Sequence, residues 1–325
     1  MIVPQFWAEG RLRERHRGGQ ITVRRWGWSD KSPEEAQAHA DARTREALDR
    51  IRNGETLPRR EGRVAYNGAD GVPIREEILS RHGETLVTRN AYGAHCLNSP
   101  DVLFADIDLV GPAFPCGLIG LGTLVCAATA LALAPRARVA AGVVALPLAF
   151  LALSLLWTAW RRARSPFESK PDVRARERIV RALDARPGWS ARVYRSPAGF
   201  RVLVLHQRFD PGSSEVATFF RDLGTDPVYV RMCLKQRCFR ARVSPKPWRI
   251  GIQAHLRPRP GVWPVDPARM PDRKKWVVAY EAASEGYASC RYVESLGTGA
   301  EDPGVAKVRA LHDELSRALS SLPIA

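Results

Sequence analysis

The sequence predicts an α+β fold: a ferredoxin- or RRM-like antiparallel palm interrupted by a two-helix transmembrane hairpin. Three observations predict it. The central polar segments follow the order strand, helix, strand, strand, helix, strand, which is the split βαβ arrangement. From residue 109 to 135, and again from 139 to 160, no residue is charged. A bilayer core of roughly 30 Å takes about 20 helical residues, so each run is long enough to span. Both runs directly follow the strand-like Val-Leu-Phe-Ala-Asp106-Ile-Asp108-Leu.

The elements follow in chain order. Residues 5–8 and 20–28 read as strands, and Trp26 and Trp28, one strand period apart, share a face. Ser32-Pro33-Glu34-Glu35 has the form of a helix start, with Ser as cap and Pro in the first turn. That helix is expected to reach about Asn53 and stop near Gly54. A short helix is expected over 74–81 and a strand over 84–89. Residues 102–109 form an apolar strand ending in the acidic pair.

The first expected span covers 114–134 and the second 139–160. Gly117, Gly120, Gly122 and many alanines would let two helices approach closely. Trp157 and Trp160, followed by Arg161, Arg162 and Arg164, suit a membrane interface on the cytoplasmic side. Three parts result: 1–107 and 163–325 as the two halves of one cytosolic domain, and 108–162 as the hairpin. The chain would then be a multi-pass protein of the cytoplasmic (inner) membrane with both termini cytoplasmic and the lipid bilayer as a partner.

Beyond the hairpin, residues 171–186 have helical spacing, with Val173, Ile179, Val180 and Leu183 toward one side. Residues 191–195 and 200–206 flank Ser196-Pro-Ala-Gly199 as a β-hairpin. A helix is expected over 213–223, extended segments over 228–234 and 238–243, further strands at 276–280 and 287–293, and a last amphipathic helix over 305–319.

Lys plus Arg total 50 against 34 Asp plus Glu, a formal net charge of +16. Such a surface favours phosphate-rich partners: nucleotides, nucleic acid or anionic lipid heads. Six cysteines follow no framework spacing, which speaks against a disulfide scaffold. Cys233 and Cys238 are five apart and fall on opposite faces of a regular strand, a poor zinc spacing. The charged first residues lack an apolar core, so no cleavable signal peptide is expected.

Asp106 and Asp108 project to the same strand face. Two converging carboxylates repel each other unless a cation lies between them, and Mg²⁺ or Mn²⁺ would serve. Asp226 could supply a third metal-binding carboxylate, and His206, closing a later strand, an assisting catalytic side chain. Arg240 and Arg242 share a strand face, and Lys246, Trp248 and Arg249 follow, so cations interleaved with an aromatic ring could hold phosphates and stack a base.

With these motifs in place, the segment from 102 to 249 without its hairpin resembles the catalytic palm of the archaeo-eukaryotic primase superfamily. Phe-Ala-Asp106-Ile-Asp108-Leu is similar to that family's acidic strand, and Leu203-Val-Leu-His206 to its histidine strand. The resemblance implies an RRM-like sheet, metal on Asp106, Asp108 and Asp226, and a nucleotide contact from His206, hence metal-dependent nucleotide or nucleic-acid chemistry. Asp106-Ile-Asp108-Leu-Val also resembles the opening motif of haloacid-dehalogenase-like phosphatases. A non-catalytic, membrane-tethered module binding nucleotide, nucleic acid or anionic lipid is the non-enzymatic alternative.

Overall fold

The computed structural model describes residues 3–16, 19–61, 72–109, 152, 155–156, 170–259, 261 and 263–325. The chain divides into two compact units, Met1–Asp108 with Arg178–Ala325, and Leu109–Glu177.

The first element is a long hairpin of β1 (Phe6–His16) and β2 (Gly19–Ser29), covered on one face by helix α1 (Pro33–Arg52). Ser32 caps α1 by accepting the Glu35 amide at 3.2 Å, as its sequence predicts, and Asn53 closes it. Ile21, Val23, Ala47 and Leu48 form a small core there, with Leu12 and Ile51 at its edge. Gly10 and Gly27 let the hairpin reach the helix backbone: a Cβ on either would overlap Ala40, and on Gly27 also Ala36.

Two four-stranded antiparallel sheets make the body. One has the order β3-β4-β5-β9, with β3 Glu77–His82, β4 Thr85–Arg89, β5 His95–Ser99 and β9 Phe239–Arg242. The other has the order β10-β7-β8-β6, with β6 Phe104–Asp108, β7 Ser190–Arg195, β8 Gly199–Val204 and β10 Arg291–Gly297. The helices are α2 (Pro171–Asp184), α3 (Ser214–Leu223), α4 (Pro227–Gln236), α5 (Met270–Ser284) and α6 (Pro303–Ser316). Every residue of β8, and Phe104, Ala105 and Ile107 of β6, is buried, which places the apolar core along these two strands.

The architecture is α+β with antiparallel sheets, and several expectations need correction. No helix among the described residues is long and apolar enough to cross a membrane. On that finding the transmembrane hairpin is corrected, together with the multi-pass membrane function, the inner-membrane location and the membrane-tethered alternative. The runs at 114–134 and 139–160 lie outside the described residues apart from 152, 155 and 156.

The ferredoxin-like order holds for three strands, β6-β8-β7. The fourth, β9, neighbours β6 yet forms its ladder with β5 in the other sheet. Strand β5 has no counterpart in the expected elements. Residues 74–81 supply strand β3 rather than a helix. Residues 228–234 are helical, because Asp226-Pro227 supplies an N-cap followed by a proline in the first turn, and that local signal outweighs the β-branched run behind it. Residues 276–280 lie in α5, where Trp276 and Tyr280 stack one turn apart at 5.2 Å.

Candidate functional site

Strands β6 and β9 are edges of different sheets that meet side by side. Between them Tyr229 takes the place of a backbone ladder. Its hydroxyl donates to the Phe104 carbonyl at 2.8 Å and accepts the Arg240 amide at 3.3 Å. Beside it the Asp226 amide donates to the Asp106 carbonyl at 3.1 Å, seating the start of α4 on β6.

Arg201 completes the joint. It stands directly opposite Asp106 in the β6–β8 register. Its guanidinium is 3% exposed and donates to Asp106 Oδ1 at 2.7 Å and Oδ2 at 3.1 Å. Its Nη1 donates to the Arg242 carbonyl at 2.8 Å. Burial would lower its pKa, but the Asp106 charge and hydrogen bonds raise it well above the usual value. The same Nη1 faces His312 Nε2 at 3.4 Å, and His312 and Cys290 are fully buried behind it.

The joint leaves a cleft of about 400 Å³ within the larger unit. It is lined by Asp106, Asp108 and Asp226, by Arg242, Lys246 and Arg249, and by Tyr92 and Tyr229. The chain thus brings together three predicted carboxylates and the predicted cations. Arg240 also lines the cleft but is held by Glu76, through Nη2 to Oε1 at 2.8 Å and to Oε2 at 2.6 Å. Thr88 donates to the same carboxylate at 2.7 Å, and Asn98 to Thr88 at 2.9 Å. Arg240 is therefore paired with Glu76 just before β3, and through it with β4, while its buried Nη1 has no hydrogen-bond partner among the described residues.

The other cations are differently placed. Among the described residues none of Arg242, Lys246 and Arg249 has an Asp or Glu carboxylate within ion-pair distance, although Arg242 Nη1 also reaches the Ala325 oxygen at 3.4 Å. Burial lowers the Lys246 pKa, and the charges of Arg242 and Arg249 lower it further. Burial, then Arg242, does the same to Arg249, whose buried Nη1 has no hydrogen-bond partner among the described residues. Arg242 spends its Nη1 on the Ser244 carbonyl at 2.6 Å. Trp248, 49% exposed, lies 5.5 Å from the Lys246 ammonium and 5.2 Å from the Tyr92 ring. Burial pushes the Tyr92 phenol up to about 12, so it stays a neutral donor.

Among the acidic groups, burial raises the Asp108 carboxyl, and Asp106 and Asp226 raise it further. Two of the three carboxylates expected to hold Mg²⁺ or Mn²⁺ already accept hydrogen bonds from within the chain. Both oxygens of Asp106 are taken by Arg201, and those of Asp226 accept the Val228 and Tyr229 amides at 3.1 and 3.3 Å. Only Asp108 is left uncommitted, and among the described residues no group of three or more His, Cys, Asp or Glu could hold a metal ion.

His206 does not join the cleft. Its Nδ1 accepts the Ser190 amide at 3.4 Å, and its ring lies 4.7 Å from Trp189 and 5.6 Å from Phe209. Burial lowers its pKa. Cys233 and Cys238 are free and buried on the end of α4 and the start of β9, the Cys238 amide donating to the Cys233 carbonyl.

Arg201, Glu76, Tyr92 and Tyr229 were not legible as site residues. Arg201 did leave a signal: one arginine in the apolar run Gly-Phe-Arg201-Val-Leu-Val has to find an anion if that strand is buried. No known protein family, curated protein or solved structure matches the chain.

Proposed function

We propose that the cleft binds a small phosphorylated molecule, with its phosphate on Arg242, Lys246 and Arg249 and its hydroxyl groups facing Asp108. One observation carries this assignment: three cations line one cavity with no Asp or Glu ion-pair partner among the described residues, and burial makes the charges of Lys246 and Arg249 costly. A dianionic phosphate relieves that repulsion and supplies acceptors for the orphaned Arg249 Nη1. The volume of about 400 Å³ suits a ligand of sugar-phosphate or mononucleotide size. Asp108 would accept hydrogen bonds from its hydroxyls, and exposed Trp248 offers a flat face for a ring. No metal is needed for this arrangement.

Calorimetric titration with inorganic phosphate, a hexose phosphate and a nucleoside monophosphate tests it. Inorganic phosphate should bind weakly and at least one ester more tightly. Charge-assisted hydrogen bonds are worth about 1.5 kcal/mol or more each. Lys246→Ala with Arg249→Ala should therefore weaken binding about 100-fold. The proposal fails if no phosphate compound binds, or if the double variant binds as the parent does.

A further inference from the structure

The β1–β2 ribbon has a second face that the cleft does not use. In its register, Glu9, Arg11, Arg13 and Arg15 of β1 lie opposite Trp26, Arg24, Thr22 and Gln20 of β2. These side chains point away from the Gly10, Val23 and Gly27 face that packs on α1. Arg11, Arg13 and Arg15 are exposed and follow one another at every second residue, about 7 Å apart. Among the described residues none of the three has a carboxylate within ion-pair distance; Arg24 alone has Glu9, at 3.6 Å. Arg11 also faces Arg24 directly across the ladder, an arrangement that repels. Arg13 donates to Gln20 across the ladder, and a row of like charge along one ribbon face is costly in isolation and favourable against a regular polyanion.

We propose that this face binds duplex DNA, with Arg11, Arg13 and Arg15 on the phosphates and Gln20 and Thr22 at the groove edge. A two-stranded ribbon fits the B-form major groove, whereas the deep, narrow A-form groove does not admit it. The Trp end of the face is partly covered, with the Arg75 guanidinium 3.8 Å from the Trp26 ring, so the arginine end is the docking part. The net charge of +16 works in the same direction at longer range. This surface is independent of the cleft.

Fluorescence anisotropy of labelled duplex DNA against salt, on the full chain, tests it. Three neutralised phosphates give a slope of log affinity on log salt of about −2.7, or about a 40-fold loss between 50 and 200 mM. The variant R11A/R13A/R15A should lose that part of the slope while keeping its circular dichroism and melting temperature. Lys246→Ala should bind DNA as the parent does. An unchanged slope in the triple variant overturns the proposal, as does absence of DNA binding at 50 mM salt. Tighter binding to duplex RNA, or to vesicles of phosphatidylglycerol and phosphatidylcholine, also overturns it.

Discussion

Removing the Arg201 side chain tests whether the two sheets are held together through one buried ion pair. Arg201 makes two charge-assisted bonds to Asp106 and one to the Arg242 carbonyl, linking β8, β6 and β9. Breaking a buried pair by deleting one partner costs about 3–5 kcal/mol, mostly for the charge left behind. Asp106 is 32% exposed and can recover water, so Arg201→Ala belongs at the low end, about 3 kcal/mol. Asp106→Ala strands a guanidinium that is 4% exposed and should cost about 4 kcal/mol. The double variant leaves no orphaned charge and should cost about 4 kcal/mol as well, a coupling of about 3 kcal/mol. Urea unfolding followed by tryptophan fluorescence and circular dichroism measures all three. If the single costs add in the double variant to within about 0.5 kcal/mol, the pair is not the joint, and the account of the cleft built on it is wrong.

Glu76→Ala leaves Arg240, 3% exposed, without its carboxylate and should destabilise by about 3–5 kcal/mol in the same unfolding assay, whereas Glu76→Gln keeps one acceptor and should cost less. Asp226→Ala removes the cap of α4 and should cost about 1 kcal/mol, visible as a lower urea midpoint; no change would mean the cap contributes nothing to stability. Asp108 has a raised carboxyl, so its charged form is disfavoured by folding. Stability tied to it is present below the unfolded pKa and lost as pH rises through the folded one. Asp108→Asn should therefore match the parent near pH 3 and exceed it at pH 7 by less than about 1 kcal/mol, because half-exposed charges are screened; melting curves across pH decide this.

Local chemistry was enough to place many elements. The Ser32-Pro33 cap placed α1 within a residue at its start, and the helix expected over 213–223 is α3, which Ser213 caps by accepting the Val216 amide. Alternation and the Ser196–Gly199 turn placed the β7–β8 hairpin, and the Asp106/Asp108 spacing put both carboxylates into one cleft. These signals act over a few residues, so they survive in the sequence. Strand β5 was lost because Leu97 is its one large apolar residue, while buried Asn98, whose amide donates to the Leu86 carbonyl and Thr88, and buried Ser99 break the apolar pattern.

By itself the sequence determined the caps, the turns, the alternation and the identity of the charged groups, because each depends on neighbours within one or two turns. Tertiary structure alone decided which charges are spent and which remain available. Arg240 and Arg242 are two residues apart on one strand, yet Glu76, far away in the chain, takes the first, while the second lines the cleft without an ion pair among the described residues. Long-range pairing also moved β9 from the edge of β6 to a ladder with β5, and left His206 on Trp189 outside the cleft. A charge's partner is set by distance in space, and nothing in the local order of residues encodes that distance.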